Sequence, residues 1–193
     1  DWDPPAMTTA LCAQHVMSHP VTVLREKERV SRIVDLLRST KHNGFPVVFG
    51  YEPPNDGKAT DSFGQLKGLI LRHQLLTLLK KRTYLFDSAE LSPDDFRESY
   101  PRYLTLDDIE INENDMDFEL DLRPYMNLAP YSLTENANLP KIFRLFRGLG
   151  LRHLVIVNDT NCVTGIVTRI DIAKYKSHVG FLHASIKQLN ITA

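Results

Sequence analysis

The sequence is poor in the features that mark secreted or membrane-spanning chains. Only two cysteines, Cys12 and Cys162, occur among 193 residues, and a chain of this length can bury a core without a disulfide. A reducing compartment is therefore the favoured interpretation, although one bond between the two thiols stays open. No stretch reaches the roughly 18 apolar residues that a membrane helix needs. We expect any membrane association to come from another part of a longer chain.

Charge of one sign and catalytic motifs are also lacking. The formal net charge is -1, so no basic field would attract a nucleic acid. The sequence has no Gly-x-Ser-x-Gly, phosphate-binding loop or Cys-x-x-Cys pattern, and we predict a protein that is not an enzyme. His15 and His19 stand near Cys12, but Pro20 would end a helix there and further ligands are missing. We therefore predict no metal site.

An internal repeat organises the sequence. Residues 16–23 and 125–133 each contain an apolar or aromatic residue, a Met, a short polar gap, a Pro and a β-favouring stretch. An amphipathic helix is predicted after each, because apolar residues recur at i, i+3, i+4 and i+7. These residues are Val30, Ile33, Val34 and Leu37 in the first copy, and Leu139, Ile142, Phe143 and Phe146 in the second.

Two β runs and a second helix complete each copy. The runs are residues 45–49 and 66–71 in the first copy, and 153–157 and 163–168 in the second. Each copy thus reads β-α-β-β-α, which predicts an α/β (α+β) fold with helices covering small sheets. One copy has too small a core to stand alone, so we expect the two copies to pack together.

Two segments depart from the repeat and set the predicted boundaries. We divide the chain into a linker at 1–8, a first copy at 9–85 with a loop insertion at 50–64, an acidic connection at 86–122, a second copy at 123–180 and a tail at 181–193. In the connection, the pattern from Ser92 to Asp95 predicts the start of a helix. Residues 117–122 alternate acidic and apolar residues, which predicts a half-buried strand. The acidic run lacks the glycine and the spacing of a calcium loop.

Three strings are specific enough to suggest a family. They are HNGFPVV at 42–48, GLILR at 68–72 and LFRGLGLRHL at 145–154. Together with the repeat, they resemble the tandem CBS motifs in the cytosolic region of CLC chloride channels and chloride/proton exchangers. The string DFRESYPR at 95–102 is most similar to the lysosomal and vacuolar members.

The resemblance implies an architecture and a function. The two CBS motifs would pack as a pseudo-twofold pair around an adenine nucleotide (ATP, or ADP or AMP), a regulatory ligand that needs no metal from the protein. The module would continue the transmembrane part of the same chain at the cytosolic face of a lysosomal, endosomal or vacuolar membrane. Its expected partners are a second copy, in a homodimer through the CBS motifs, and an accessory membrane subunit. It would modulate transport or gating without catalysing a reaction.

The resemblance also selects the candidate nucleotide-binding residues. They are Thr22, His42, Asn43, Gly44 and Phe45 in the first copy, and Thr168, Arg169 and Asp171 in the second. A carboxylate such as Asp171 can accept hydrogen bonds from the two adjacent hydroxyls of a ribose. The guanidinium of Arg169 could reach a phosphate, and the imidazole of His42 could stack on the adenine ring.

A structural explanation competes at this site. Thr168 and Asp171 also match a capping box, in which the Thr caps a helix and the acid returns a hydrogen bond. The repeat adds a further argument, because an offset of 97 residues places Leu71 and Gln74 at the positions of Thr168 and Asp171. Since the first copy lacks both the hydroxyl and the carboxylate, we predict a single nucleotide site.

Three functions stay open at this point. The first is a nucleotide-sensing regulatory module of a chloride transporter. The second is a structural module of the same transporter that supports dimerisation and trafficking without a ligand. The third is the regulatory insert of a metabolic enzyme. Apolar residues near the end of the second copy, Ile172 and Val179, suit either a dimer contact or the core.

Overall fold

The structure is a computed structural model that describes residues 11–51, 62–86, 91–98 and 102–174. The predicted linker, the predicted tail, most of the loop insertion and Val179 lie outside the described residues. Within the described ranges, no helix is long and apolar enough to cross a membrane.

The first copy forms the predicted β-α-β-β-α order. Its elements are β1 (Leu24–Arg25), β2 (Lys27–Arg29), α1 (Val30–Ser39), β3 (Gly44–Phe49), β4 (Gln65–Leu71) and α2 (Arg72–Lys80). β3 lies in the centre of a three-stranded sheet, parallel to β1 and antiparallel to β4. The predicted apolar face of α1 is buried in one core with Phe45 and Ile70 from this sheet.

The connecting segment adds one short strand to the first copy. This strand, β5 (Glu119–Asp121), pairs antiparallel with β2, so that Leu120 is buried and Glu119 is exposed. The predicted helix start at Ser92 is wrong, since residues 93–98 form turns. Asp95 does accept hydrogen bonds from Ser92, but Pro101 follows closely and disfavours helix in the residue before it.

An ion pair fixes the connecting segment to the end of α2. Asp115 is only 3% exposed, and its carboxylate accepts hydrogen bonds from Nε and Nη2 of Arg82, each at 2.8 Å. The hydroxyl of Tyr84 donates a third, also at 2.8 Å. The Arg82 guanidinium thereby holds the pKa of Asp115 below its ordinary value.

The second copy repeats the topology of the first. Its elements are β6 (Ser132–Thr134), α3 (Leu139–Leu149), β7 (His153–Val157), β8 (Val163–Thr168) and α4, which covers residues 169–174 of the described part. β7 is the central strand, parallel to β6 and antiparallel to β8. α3 starts after Asn138, whose side chain accepts a hydrogen bond from the N–H of Lys141. Ile172, on α4, belongs to the core.

The compact units of the chain do not coincide with the two copies. Among the described residues, unit 1 comprises 11–21, 62 and 131–174, and unit 2 comprises 22–51, 63–86, 91–98 and 102–130. We call residues 11–21 the first leading segment and residues 122–130 the second leading segment. Each leading segment stands at the start of one copy in the sequence but lies in the compact unit that contains the sheet of the other copy.

Gly165, in β8, allows the first leading segment to pack closely against the sheet of unit 1. The N–H of Ser18 donates to the carbonyl of Ile166 in β8 at 2.8 Å. Met17 crosses Gly165 so closely that a Cβ on this glycine would lie 2.8 Å from Cγ of Met17. The glycine is therefore required by the approach of a methionine from a distant part of the sequence.

Within unit 2, β4 makes the equivalent contact with the second leading segment. Asn127 exchanges two backbone hydrogen bonds with Leu69 in β4, at 2.8 and 2.9 Å. A Cβ on Gly68 would lie 2.8 Å from the carbonyl oxygen of Asn127 and 2.8 Å from the sulfur of Met126. The glycine that stands third in each of these β runs thus has the same function in both copies.

Candidate functional site

The predicted ribose-binding residues form a hydrogen-bonded corner where β8 meets α4. Oδ2 of Asp171 accepts a hydrogen bond from the N–H of Thr168 at 2.8 Å and another from its hydroxyl at 2.7 Å. This is the capping box that the sequence left as the alternative explanation. Both residues are half-buried, so part of the corner is accessible to a ligand.

The second oxygen of Asp171 has a partner that the sequence did not reveal. The hydroxyl of Ser18, in the first leading segment, donates to Oδ1 at 3.0 Å. Nothing in the local pattern around Ser18 signals this contact, because the two residues stand 153 positions apart. A carboxylate offers about four acceptor positions, and within the described ranges the three bonds from Thr168 and Ser18 leave one of them on Oδ1.

The first copy builds its corner with different chemistry. Oε1 of Gln74 accepts a hydrogen bond from the N–H of Leu71 at 2.9 Å, and Nε2 donates to the carbonyl of Tyr125 at 3.0 Å. Gln74 and Asp171 therefore each cap a strand-to-helix turn and hold a leading segment. An amide is needed where the partner is a carbonyl, whereas a carboxylate suits the hydroxyl of Ser18.

Arg169 contacts its own unit through two hydrogen bonds. Its Nε donates to the carbonyl of Leu151 at 2.8 Å and its Nη2 donates to the carbonyl of Gly150 at 2.7 Å. Arg72, at the equivalent position of the first copy, donates to the loop carbonyls of Thr40 and His42 and to the carbonyl of Leu37 in α1. The guanidinium predicted to reach phosphate thus already ties the loop between α3 and β7 to α4.

The candidate residues of the first copy lie in unit 2. His42 and Asn43 are exposed in the loop between α1 and β3, and Thr22 is half-buried just before β1. The carbonyl of Asn43 accepts a hydrogen bond from the N–H of Arg72 at 2.9 Å. The side chains of His42 and Asn43 therefore face solvent while the backbone between them is fixed.

Gly44 and Phe45 begin β3 and are buried. The ring of Phe45 has no exposed surface, so only its backbone could touch a ligand. The Phe45 ring makes a T-shaped contact with the ring of His42, with centroids 6.3 Å apart and planes at 75°. This contact orients the imidazole that the sequence predicts to stack on adenine.

His153 lies beside the corner of unit 1. It is opposite Thr168 in the pairing of β7 with β8. Burial, followed by the charge of Arg152, lowers the pKa of His153 below its ordinary value of 6.5. The imidazole is therefore largely neutral at pH 7.

The histidines considered as metal ligands have other contacts. Nδ1 of His15 lies 3.1 Å from the sulfur of Cys12, and Nδ1 of His19 lies 3.0 Å from the carbonyl oxygen of Thr164. In the part of the chain that the structure covers, no group of three or more His, Cys, Asp or Glu side chains could hold a metal ion.

Comparison with known families agrees with the repeat. The model of the CBS domain matches residues 13–81 and 121–178, which is more than half of the chain. The chain belongs to the CBS domain family. One match falls on each copy, so the two β-α-β-β-α copies are a tandem pair of CBS motifs.

The chain is similar to a part of known chloride transporters. The chain is 43% identical over 189 residues to the H(+)/Cl(-) exchange transporter 7 of Bos taurus, covering 94% of this chain and 22% of that protein. It is 40% identical over 167 residues to the chloride channel protein CLC-b of Arabidopsis thaliana, covering 81% of this chain and 21% of that protein. The chain thus spans about a fifth of the length of these relatives. The predicted resemblance to CLC channels and exchangers is confirmed.

A solved CBS structure confirms the predicted fold. The structure of CBSX2 in complex with AMP superimposes with a TM-score of 0.51 at 17% identity, covering 89% of this chain and 99% of CBSX2. At this identity the likeness concerns the fold alone. The mixed α/β architecture with two tandem CBS motifs is therefore confirmed.

Proposed function

We propose that this chain is the regulatory module of a chloride channel or chloride/proton exchanger, and that it binds an adenine nucleotide which modulates transport or gating. The observation that carries the proposal is the carboxylate corner of Thr168 and Asp171, half-buried and present in one copy only. The identity to an exchange transporter supports the transport context. The AMP complex of CBSX2, a protein of the same fold, supports the ligand class.

The chemistry of the corner suits the sugar of the nucleotide. The carboxylate of Asp171 would repel phosphate, and its remaining acceptor position on Oδ1 suits a hydroxyl donor. We therefore assign Asp171 and Thr168 to the ribose. The assignment of His42, Asn43, Gly44, Phe45 and Thr22 to the adenine is carried over from the resemblance. Because ATP, ADP and AMP share the ribose and the adenine, these contacts accept all three. Arg169 would contact a phosphate through the guanidinium N–H groups that do not bind the loop carbonyls.

The wider setting is proposed from the relatives. In this proposal the module continues a transmembrane part of the same chain and lies at the cytosolic face of an intracellular membrane, lysosomal, endosomal or vacuolar. It forms a homodimer through its CBS motifs, and an accessory membrane subunit is a further partner. It performs no catalysis, and bound nucleotide acts by favouring one of two conformations of the transporter.

Calorimetry with ATP, ADP and AMP tests the nucleotide site. We expect millimolar or tighter binding to the 193-residue chain, and a loss of affinity of about tenfold or more in Asp171→Asn, since a neutral amide replaces a charged acceptor. Asp159→Asn, at an exposed position of the same unit, should bind like the wild type. Absence of binding, or equal binding by Asp171→Asn, would contradict the proposal.

A second candidate is a structural module without a ligand. It is favoured by one observation: Thr168, Arg169 and Asp171 all have partners within unit 1. Capping and loop attachment would then be their whole function. This alternative predicts self-association that sedimentation finds unchanged by nucleotide, together with no heat of binding in the calorimeter.

A further inference from the structure

The two oxygens of Asp171 differ in their remaining capacity. Oδ2 accepts two hydrogen bonds from Thr168, at 2.7 and 2.8 Å, and is filled. Among the described residues, Oδ1 accepts one bond, from Ser18, at 3.0 Å. A ligand hydroxyl that binds Asp171 without displacing its partners must therefore approach Oδ1, on the side where Ser18 lies.

The hydroxyl of Ser18 has unused acceptor capacity at the same place. It donates its proton to Oδ1, which leaves the two lone pairs of its oxygen for other donors. Donation to an anion also makes this oxygen a better acceptor, because neighbouring hydrogen bonds polarise one another. Oδ1 of Asp171 and Oγ of Ser18 thus form two adjacent acceptors, 3.0 Å apart, on half-buried residues.

We propose that Ser18 belongs to the nucleotide site and accepts one ribose hydroxyl while Asp171 accepts the other. The inference rests on the proposed function. A ribose carries two hydroxyls on neighbouring carbons, and each would meet one of the two acceptors. The pair therefore selects ribonucleotides over deoxyribonucleotides, which lack one of these donors.

Ser18 is positioned before any ligand arrives. Its N–H donates to the carbonyl of Ile166 at 2.8 Å, and its neighbour Met17 lies against Gly165. A side chain that is already oriented loses little freedom on binding, so its hydrogen bond contributes more of its strength to affinity. The nucleotide would at the same time contact the first leading segment, which begins the first copy in the sequence.

The first copy has a different arrangement at the equivalent position. There Asn127 replaces Ser18, and its Oδ1 accepts a hydrogen bond from the N–H of Ala129 at 3.0 Å. The amide of Gln74 is directed to the carbonyl of Tyr125. In the described residues of this corner, no carboxylate and hydroxyl pair is available for a diol.

The test combines changes in the protein with changes in the ligand. Calorimetry on the 193-residue chain would compare ADP, 2′-deoxy-ADP and 3′-deoxy-ADP. The variants are Ser18→Ala, Ser18→Cys, which keeps the size of the side chain but is a weak acceptor, and Ser18→Thr, which keeps the hydroxyl. Asn127→Ala is the matched control from the first copy.

We expect Ser18→Ala and Ser18→Cys to bind ADP about fivefold more weakly, the effect of one hydrogen bond. Ser18→Thr and Asn127→Ala should retain the wild-type affinity. Both deoxy nucleotides should bind the wild type more weakly than ADP. The one that lacks the hydroxyl accepted by Ser18 should lose nothing further in Ser18→Ala, whereas the other should lose affinity as ADP does.

The outcomes separate this inference from the proposed function. If the wild type binds ADP and the Ser18 variants bind it equally well or more tightly, the inference is overturned and the nucleotide site stands. An equal loss for all three ligands would also overturn it, since Ser18 would then act only through the structure. If the wild type binds none of the ligands, the proposed function itself fails.

Discussion

Arg72 and Arg169 attach the same loop in the two CBS motifs. Nη1 of Arg72 donates to the carbonyl of Thr40 at 3.0 Å, and Nη2 donates to the carbonyl of Leu37 at 2.5 Å. Arg169 donates to the carbonyls of two loop residues in the second copy, at 2.7 and 2.8 Å. Each arginine is the first residue of the last helix of its copy, so the helix start and the loop before the central strand form one connected structure.

Replacing these arginines should destabilise the protein unequally. Arg72 is half-buried and also reaches the carbonyl of His42, whereas Arg169 is exposed. We expect Arg72→Ala to lower the free energy of unfolding by about 1–2 kcal/mol and Arg169→Ala by about 1 kcal/mol or less. Urea unfolding measures both. Arg32→Ala, on the exposed face of α1, is the control and should change little; equal effects of all three variants would contradict the prediction.

The two close-approach glycines should differ in their tolerance of alanine. At Gly68 the added Cβ meets the backbone oxygen of Asn127, which cannot move alone, so Gly68→Ala should cost about 1–3 kcal/mol. At Gly165 the three nearest atoms all belong to the side chain of Met17, which can change its rotamer, so we expect Gly165→Ala to cost less. Thermal unfolding of the two variants compares them. A larger loss for Gly165→Ala would show that the methionine is fixed.

The side-chain amide of Gln74 should be essential to the stability of the turn where β4 meets α2. Gln74→Glu removes the N–H donor to Tyr125 and sets a carboxylate against a carbonyl. We expect a loss of about 1–2 kcal/mol in the free energy of unfolding at pH 7, partly recovered at acid pH when the new carboxyl is protonated. Gln65→Glu, at an exposed position at the start of β4, is the matched control. No difference between the two variants would refute the assignment.

Acid should release the connecting segment from the end of α2. Because Arg82 lowers the pKa of Asp115 below the ordinary 3.8, this pair stabilises the folded state fully above that value, and the contribution is lost as the pH falls through the lower folded pKa. Asp115→Asn should lower the melting temperature at pH 7 and flatten its decline below about pH 4. Circular dichroism melts across this range measure both effects.

The control for this prediction is Asp35→Asn, on the exposed face of α1. It should leave the melting temperature at pH 7 and the acid profile close to those of the wild type. An unchanged acid profile in Asp115→Asn would mean that other carboxylates dominate the response to acid.

The elements of the fold were predictable because their signals are local. The two β runs of the second copy, 153–157 and 163–168, have the bounds expected from the sequence. The apolar faces of α1 and α3 follow the helical period of 3.6 residues and are largely buried. The choice between core and dimer contact for Ile172 needed the structure, because periodicity marks an apolar face without naming its partner.

The packing of the leading segments and the partner of Asp171 could not be predicted, because they depend on contacts between residues that are distant in the sequence. The repeat assigns Met17 to the first copy and Met126 to the second, whereas the structure packs them on Gly165 and Gly68 of the other copies. Similarity between repeats cannot reveal such an exchange, since both assignments give the same pattern of residues. The bond between Ser18 and Asp171 was hidden for the same reason.

The reciprocal placement of the leading segments makes the chain a natural system for fragment complementation. A cut between the copies would give two polypeptides, and each would contain the sheet of one unit and the leading segment that packs in the other unit. Neither polypeptide would contain a complete unit, and a mixture of the two could restore both. The duplicated motif is therefore indivisible at its own sequence boundary, even though that boundary is the most visible one in the sequence.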